Sequence, residues 1–103
     1  MTPAIAVHGG AFDIAPSEHG RHREGCLAAA RAGWQVLDEG GTALDAVERA
    51  VRELEGSGIF GAGRGSALSE EGFIELDAGM MDGPTPPTRL GAPIRPSSRR
   101  RAR

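Results

Sequence analysis

The chain has 103 residues, enough for one domain at most, and 16 of them are glycine, so tight bends and close backbone approaches must be common. Three Phe, one Trp and no Tyr leave little large-side-chain volume for a core, and a lone Cys26 excludes an intramolecular disulfide framework. Charge is split: 14 acids face 6 arginines in residues 1–83, whereas residues 84–103 hold 6 arginines, no acid and five of the seven prolines. The composition divides the chain at Gly83/Pro84 into an acidic piece over 1–83, too poor in large core residues to be expected to fold cooperatively by itself, and an Arg/Pro-rich tail over 84–103 expected to be disordered.

In chain order, "AIAV" (Ala4–Val7) reads as a short buried strand running into the turn "HGG". Residues 11–20 read as an irregular loop. From about Arg21 to Glu39 the spacing of Leu27, Ala30, Trp34 and Leu37 predicts a helix, stopped by Gly40-Gly41. Thr42 reads as the cap of a second helix, with Asp45 three residues on and an apolar stripe of Leu44, Val47, Val51 and Leu54. Glu48–Arg52 and Arg49–Glu53 are spaced as surface ion pairs. Beyond the glycine-rich run at 58–65, "SALS" and "FIELDA" read as a hairpin joined by "EEG". The order strand, helix, helix, hairpin makes the class α/β or α+β.

The glycine run raises the question of chemistry. A phosphate loop needs a lysine, and the chain has none. "GAGRGS" has the wrong spacing for a dinucleotide fingerprint and lies between a helix and a strand rather than the reverse. No G-x-S-x-G nucleophile elbow occurs. His19, His22 and Cys26 have helical metal spacing, although a solvated loop and a buried helical cysteine explain them more simply than zinc does. His8 is a positioned polar group or a core histidine, and Asp77 and Asp82 read as hairpin and turn residues. "GGT" at Gly40–Thr42 imitates a self-cleaving Gly–Thr bond, but a helix cap is needed at Thr42, so the cap is the better reading.

Together "AIAVHGGA", "GTALDAVERAVRELE" and "IFGAGRGSALSEEGFIELDAGMMDG" resemble the isoaspartyl peptidase/L-asparaginase family, the plant-type asparaginases among N-terminal-nucleophile hydrolases. The resemblance covers residues 4–83 and implies the N-terminal part of a four-layer αββα sandwich, incomplete here. The activity it implies is hydrolysis of the asparagine side-chain amide, or of β-aspartyl peptides, at an N-terminal threonine made by autocleavage. It also implies that the glycine loop wraps a structural sodium ion through the main-chain carbonyls of Leu54, Glu55, Ser57, Phe60, Ala62 and Arg64. His8, Gly9 and Gly10 are the other motif residues it singles out.

The chain departs from the family's pattern at Phe12, where the family has a further glycine, and at Gly61, where it usually has asparagine. The segments that carry the threonine and the substrate-binding arginine and aspartate do not follow Gly83. The expectation is therefore an α-chain fragment, inactive alone, with no catalytic residue of its own. Its expected partner is the missing C-terminal, β-chain portion supplied in trans, and its expected compartment the cytoplasm. A reading frame shifted near codon 83 would account for the change in composition. The other class of reading is a small binding protein whose arginine tail meets an acidic partner or nucleic acid. That tail has no aromatic interleaving, so nucleic acid is not the expected partner, and since no run approaches the roughly 20 apolar residues of a membrane span, neither is a membrane.

Overall fold

The structure is a computed structural model, and it describes residues 2–66, 72, 76, 78–83 and 88–90. Two compact units divide after Gly65. The first holds a 3-10 turn (Pro16–Glu18), helix α1 (His19–Asp38), helix α2 (Ala43–Ser57) and a second 3-10 turn (Gly63–Gly65). In the second, strands β1 (Met80–Asp82) and β2 (Thr88–Leu90) pair antiparallel, with Met80 opposite Leu90 and Asp82 opposite Thr88. Among the described residues no helix is long and apolar enough to cross a membrane.

Helix α1 begins two residues earlier than its periodicity predicts, because the preceding loop is not wholly irregular. Pro16, with φ already suited to a helix, opens the 3-10 turn that leads into it. The His19 ring reaches back to the Ile14 carbonyl oxygen at 3.2 Å and ties the turn to the loop before it. At the other end Gly40 takes φ 84°, its N–H donates to the Leu37 carbonyl, and Gly41 donates to that of Val36. This paired return is a Schellman stop, and it needs glycine at the left-handed position.

Thr42 caps α2 as predicted: it is extended (φ −79°, ψ 160°), and its Oγ1 accepts the Asp45 backbone N–H at 3.1 Å. The helix ends at Gly58 in the left-handed conformation, φ 73°. Of the two surface pairs, Glu48–Arg52 closes at 3.4 Å with both side chains exposed; Arg49–Glu53 forms no ion pair among the described residues.

The two helices meet differently from the predicted stripes. Their seam is made of small residues, Ala29 and Gly33 on α1 and Ala46 and Ala50 on α2. A Cβ at Gly33 would stand 2.9 Å from the Ala46 carbonyl oxygen and 3.3 Å from the Ala50 methyl, so the backbones approach closely there. Leu27, Trp34, Val47 and Val51 are instead exposed. Periodicity locates an apolar face; it does not say which part of that face a neighbour covers.

The expected strand at Ala4–Val7 is also corrected, for these residues are not in a strand. A strand exists only through a ladder with a neighbour, and no described segment pairs with this one. Its period-two character survives: Ile5, Val7 and Gly9 are half-buried while Ala4, Ala6, His8 and Gly10 are exposed. Ile5 Cδ1 fills the space that a side chain at Gly33 would need. The expected hairpin of "SALS" and "FIELDA" falls largely outside the described residues. Thr88–Leu90, in the stretch read as a tail, is the second strand of the β1–β2 pair.

Candidate functional site

The two glycine-bearing motifs, 51 residues apart from Gly9 to Phe60, come together in the first unit, and the Phe60 side chain joins them. Phe60 is 3% exposed. A Cβ at Gly9 would lie 2.7 Å from Phe60 Cε1 and 2.9 Å from Cys26 Sγ; one at Gly25 would lie 2.9 Å from Phe60 Cε2. The phenyl ring thus sits where α1 and the HGG turn both lack side chains. The next glycine, Gly10, turns the chain with φ 121°. His8, Gly9, Gly10, Leu54, Phe60 and Ala62 share the wall of a cavity of about 330 Å³, so one site contains residues of both motifs.

The six carbonyl positions read as cation donors all lie in this region. Leu54 and Glu55 are in the last turn of α2, Ser57 ends it, and Phe60, Ala62 and Arg64 lie on the loop and its 3-10 turn. The loop is curled back onto the helix end. Gly63 has φ 57°, and a Cβ there would meet the Glu55 carbonyl oxygen at 2.6 Å. Gly65 is pressed against the Phe60 carbonyl oxygen, and a Cβ on it would be 2.9 Å from that of Gly58. Two side-chain and backbone bonds hold the curl: Ser57 Oγ donates to the Leu54 carbonyl at 2.7 Å, and Gly65 N–H to that of Ala62 at 3.2 Å. Ser57 Oγ in turn accepts the Ile59 N–H at 3.2 Å.

Glycine at positions 63 and 65 lets the loop lie this close to the end of α2, where a Cβ would intrude. No group of three or more His, Cys, Asp or Glu able to hold a metal exists among the described residues.

Comparison with known proteins decides the family. The family model described as "Asparaginase" matches residues 1–93. The chain belongs to the asparaginase family. It is 51% identical over 83 residues to the isoaspartyl peptidase/L-asparaginase of Xenopus laevis, covering 81% of this chain and 27% of that protein. The corresponding protein of Bos taurus is 48% identical over 84 residues, with the same two shares. The plant-type L-asparaginase of Pyrococcus abyssi is 48% identical over 83 residues, 80% of this chain and 27% of that one. The chain thus spans about a quarter of the length of the curated relatives it matches.

Phe12 and Gly61, the two positions read as departures from the resemblance, both fall at this site. Phe12 is 56% exposed and edge-on to the His22 ring at 6.0 Å, close over Gly10. Gly61 lines the shared cavity, and a Cβ added to it would meet nothing within 4 Å. Sequence reasoning singled out the Phe60 carbonyl and missed its side chain, whose one signal was an aromatic residue inside a glycine run. Thr42, the imitation of a cleavage-site threonine, is the α2 cap, its Oγ1 taken up by the Asp45 N–H.

Proposed function

We propose that this chain is the front of the α-chain of an isoaspartyl peptidase/L-asparaginase, a scaffold portion that is catalytically silent alone. The observation that carries the reading is the junction of the HGG turn and the curled glycine loop across Phe60. The family's reaction is hydrolysis of the asparagine side-chain amide or of β-aspartyl peptides by a threonine freed at a chain start. Covalent catalysis of that kind needs a nucleophile, a base and donors for the oxyanion. Thr42 is committed to the start of α2, and the family resemblance assigns no role to Thr2, Thr85 or Thr88.

In this reading the carbonyls of Leu54, Glu55, Ser57, Phe60, Ala62 and Arg64 hold a sodium ion, which supplies a fixed charge that braces the loop. The chain's own contribution is to hold the loop curled against the end of α2, through Gly63, Gly65 and the Ser57 hydroxyl. The partner is the remaining portion of the fold, supplied in trans, and the complete assembly is the four-layer αββα sandwich. The exposed Leu27, Trp34, Val47 and Val51 are the apolar surface available for such a partner.

Complementation tests this. The 103-residue chain is co-expressed with the portion of the Xenopus laevis relative that lies beyond its matched segment. The expected result is co-purification and release of aspartate from a β-aspartyl dipeptide by the pair and by neither part alone. Separate elution of the two parts, with no activity in the mixture, would refute the scaffold reading.

A further inference from the structure

Asp82 and Gly83 stand together where β1 ends. Asp82 is the last residue of the strand, half-buried and opposite Thr88 in the terminal pair of the ladder. Gly83 follows outside the strand and is exposed, and a Cβ added there would meet nothing within 4 Å. Its φ is not in the left-handed range, so neither backbone geometry nor a close neighbour calls for glycine at this position. The ladder has three pairs, and a two-stranded pairing of that length is marginal in water, so its end pair opens readily. Among the described residues Asp82 forms no ion pair that would hold its carboxylate. Nothing in the asparaginase reading uses either residue.

We propose that Asp82–Gly83 is a self-modification site, at which the main chain isomerises through a succinimide to a β-aspartyl linkage. The Gly83 backbone nitrogen is the nucleophile and the Asp82 side-chain carbon Cγ the electrophile. The nitrogen–Cγ bond forms, the protonated carboxyl loses its hydroxyl with the amide hydrogen as water, and a cyclic imide results. Water then adds to either ring carbonyl. Addition at Cγ breaks the new bond and restores aspartate. Addition at the former main-chain carbonyl breaks the original peptide bond and leaves Gly83 joined through Cγ. Water is released and then consumed, so the step needs no oxidant, reductant or other co-reactant. A Cβ on the following residue shields the attacking nitrogen, and glycine leaves it open. Of the chain's five Asp residues, only Asp82 precedes glycine. Asp13 precedes the β-branched Ile14, and Asp38 and Asp45 lie within helices, followed by Glu39 and Ala46. The product carries an additional methylene in the main chain where β1 ends, which breaks the Asp82–Thr88 register. The site does not depend on the amidase reading.

The test is storage of the whole chain in warm, mildly acidic buffer, with tryptic peptide mapping of samples taken over weeks. In the expected result a fraction of peptide 65–89 loses one water and then regains it in a form of altered retention time. Fragment ions of that form place a β-linkage at residue 82, and hydroxylamine traps the intermediate ring as a hydroxamate at the same residue. Gly83→Val and Asp82→Glu each lose the conversion, the first by shielding the nitrogen and the second because its ring would be larger and unfavoured. The open space at Gly83 leaves room for a side chain. Helix content by circular dichroism monitors the folding of each variant, and mapping of the unaltered chain needs no variant at all. A peptide 65–89 that stays wholly α-linked would overturn the proposal. So would accumulation at Asp13, Asp38 or Asp77 equal to that at Asp82, or conversion in Gly83→Val as fast as in the parent chain.

Discussion

Gly9 and Phe60 are packed so closely that a single added methyl at Gly9 would stand 2.7 Å from the phenyl ring. This relationship couples the start of the chain to the glycine loop, and it yields the first prediction. Gly9→Ala must displace either the ring or the HGG turn, at a cost of about 1–3 kcal/mol for forced overpacking. Since the His22 ring also stands against Phe60, edge-on at 5.5 Å, the variant should shift the Phe60 and His22 ring proton signals together. Unchanged ring signals in Gly9→Ala would show that the two segments are not in contact.

Thr42→Ala removes the α2 cap and should cost that helix about 1 kcal/mol. The expected readout is a loss of helical chemical shifts over the first turn of α2, with Thr42→Ser retaining most of them. Helix content equal to that of the parent chain in the alanine variant would return Thr42 to the list of uncommitted hydroxyls.

The small-residue seam gives a contrast between neighbouring positions. Ala46 is 1% exposed and Val51 43% exposed, although both lie on α2. Ala46→Leu should destabilise by about 1–3 kcal/mol through overpacking. Val51→Leu should stay within about 0.5 kcal/mol, as surface changes do. Thermal loss of helicity measured on both variants decides it, and equal effects would place the helix contact elsewhere.

That contrast also marks the limit of what the sequence makes legible. The ends of α2 are readable, because Thr42 and Gly58 do specific chemical work at the termini, and so is the Gly40-Gly41 stop. The family motifs are readable for the same reason: turns demand particular residues. The helix interface is not, because Leu27 and Trp34 advertise a face more strongly than Ala29 and Gly33, yet close approach belongs to the small residues. Ala4–Val7 has the alternation of a strand without a ladder, which depends on a partner that local pattern cannot reveal. Of the candidate site, the two glycine motifs were legible in the sequence, whereas the Phe60 ring that joins them is a tertiary fact, fixed by glycines at positions 9 and 25.

Gly61 has open space around it and no left-handed φ, so a side chain is sterically allowed there. Gly61→Asn, the family's usual residue, should leave stability unchanged within about 0.5 kcal/mol, or raise it slightly by restricting the unfolded chain. Loss of helix content in this variant would mean that the loop is packed more tightly than its surroundings indicate.

The most direct measurement is an assay of the purified 103-residue chain alone, with L-asparagine and a β-aspartyl dipeptide as substrates. The scaffold account predicts no aspartate release above the protein-free baseline for either substrate, because the described threonine nearest in appearance to a nucleophile, Thr42, is spent on capping α2. Turnover that persists through repurification and disappears in Thr42→Ala would contradict it, making that threonine a nucleophile and the chain an enzyme by itself.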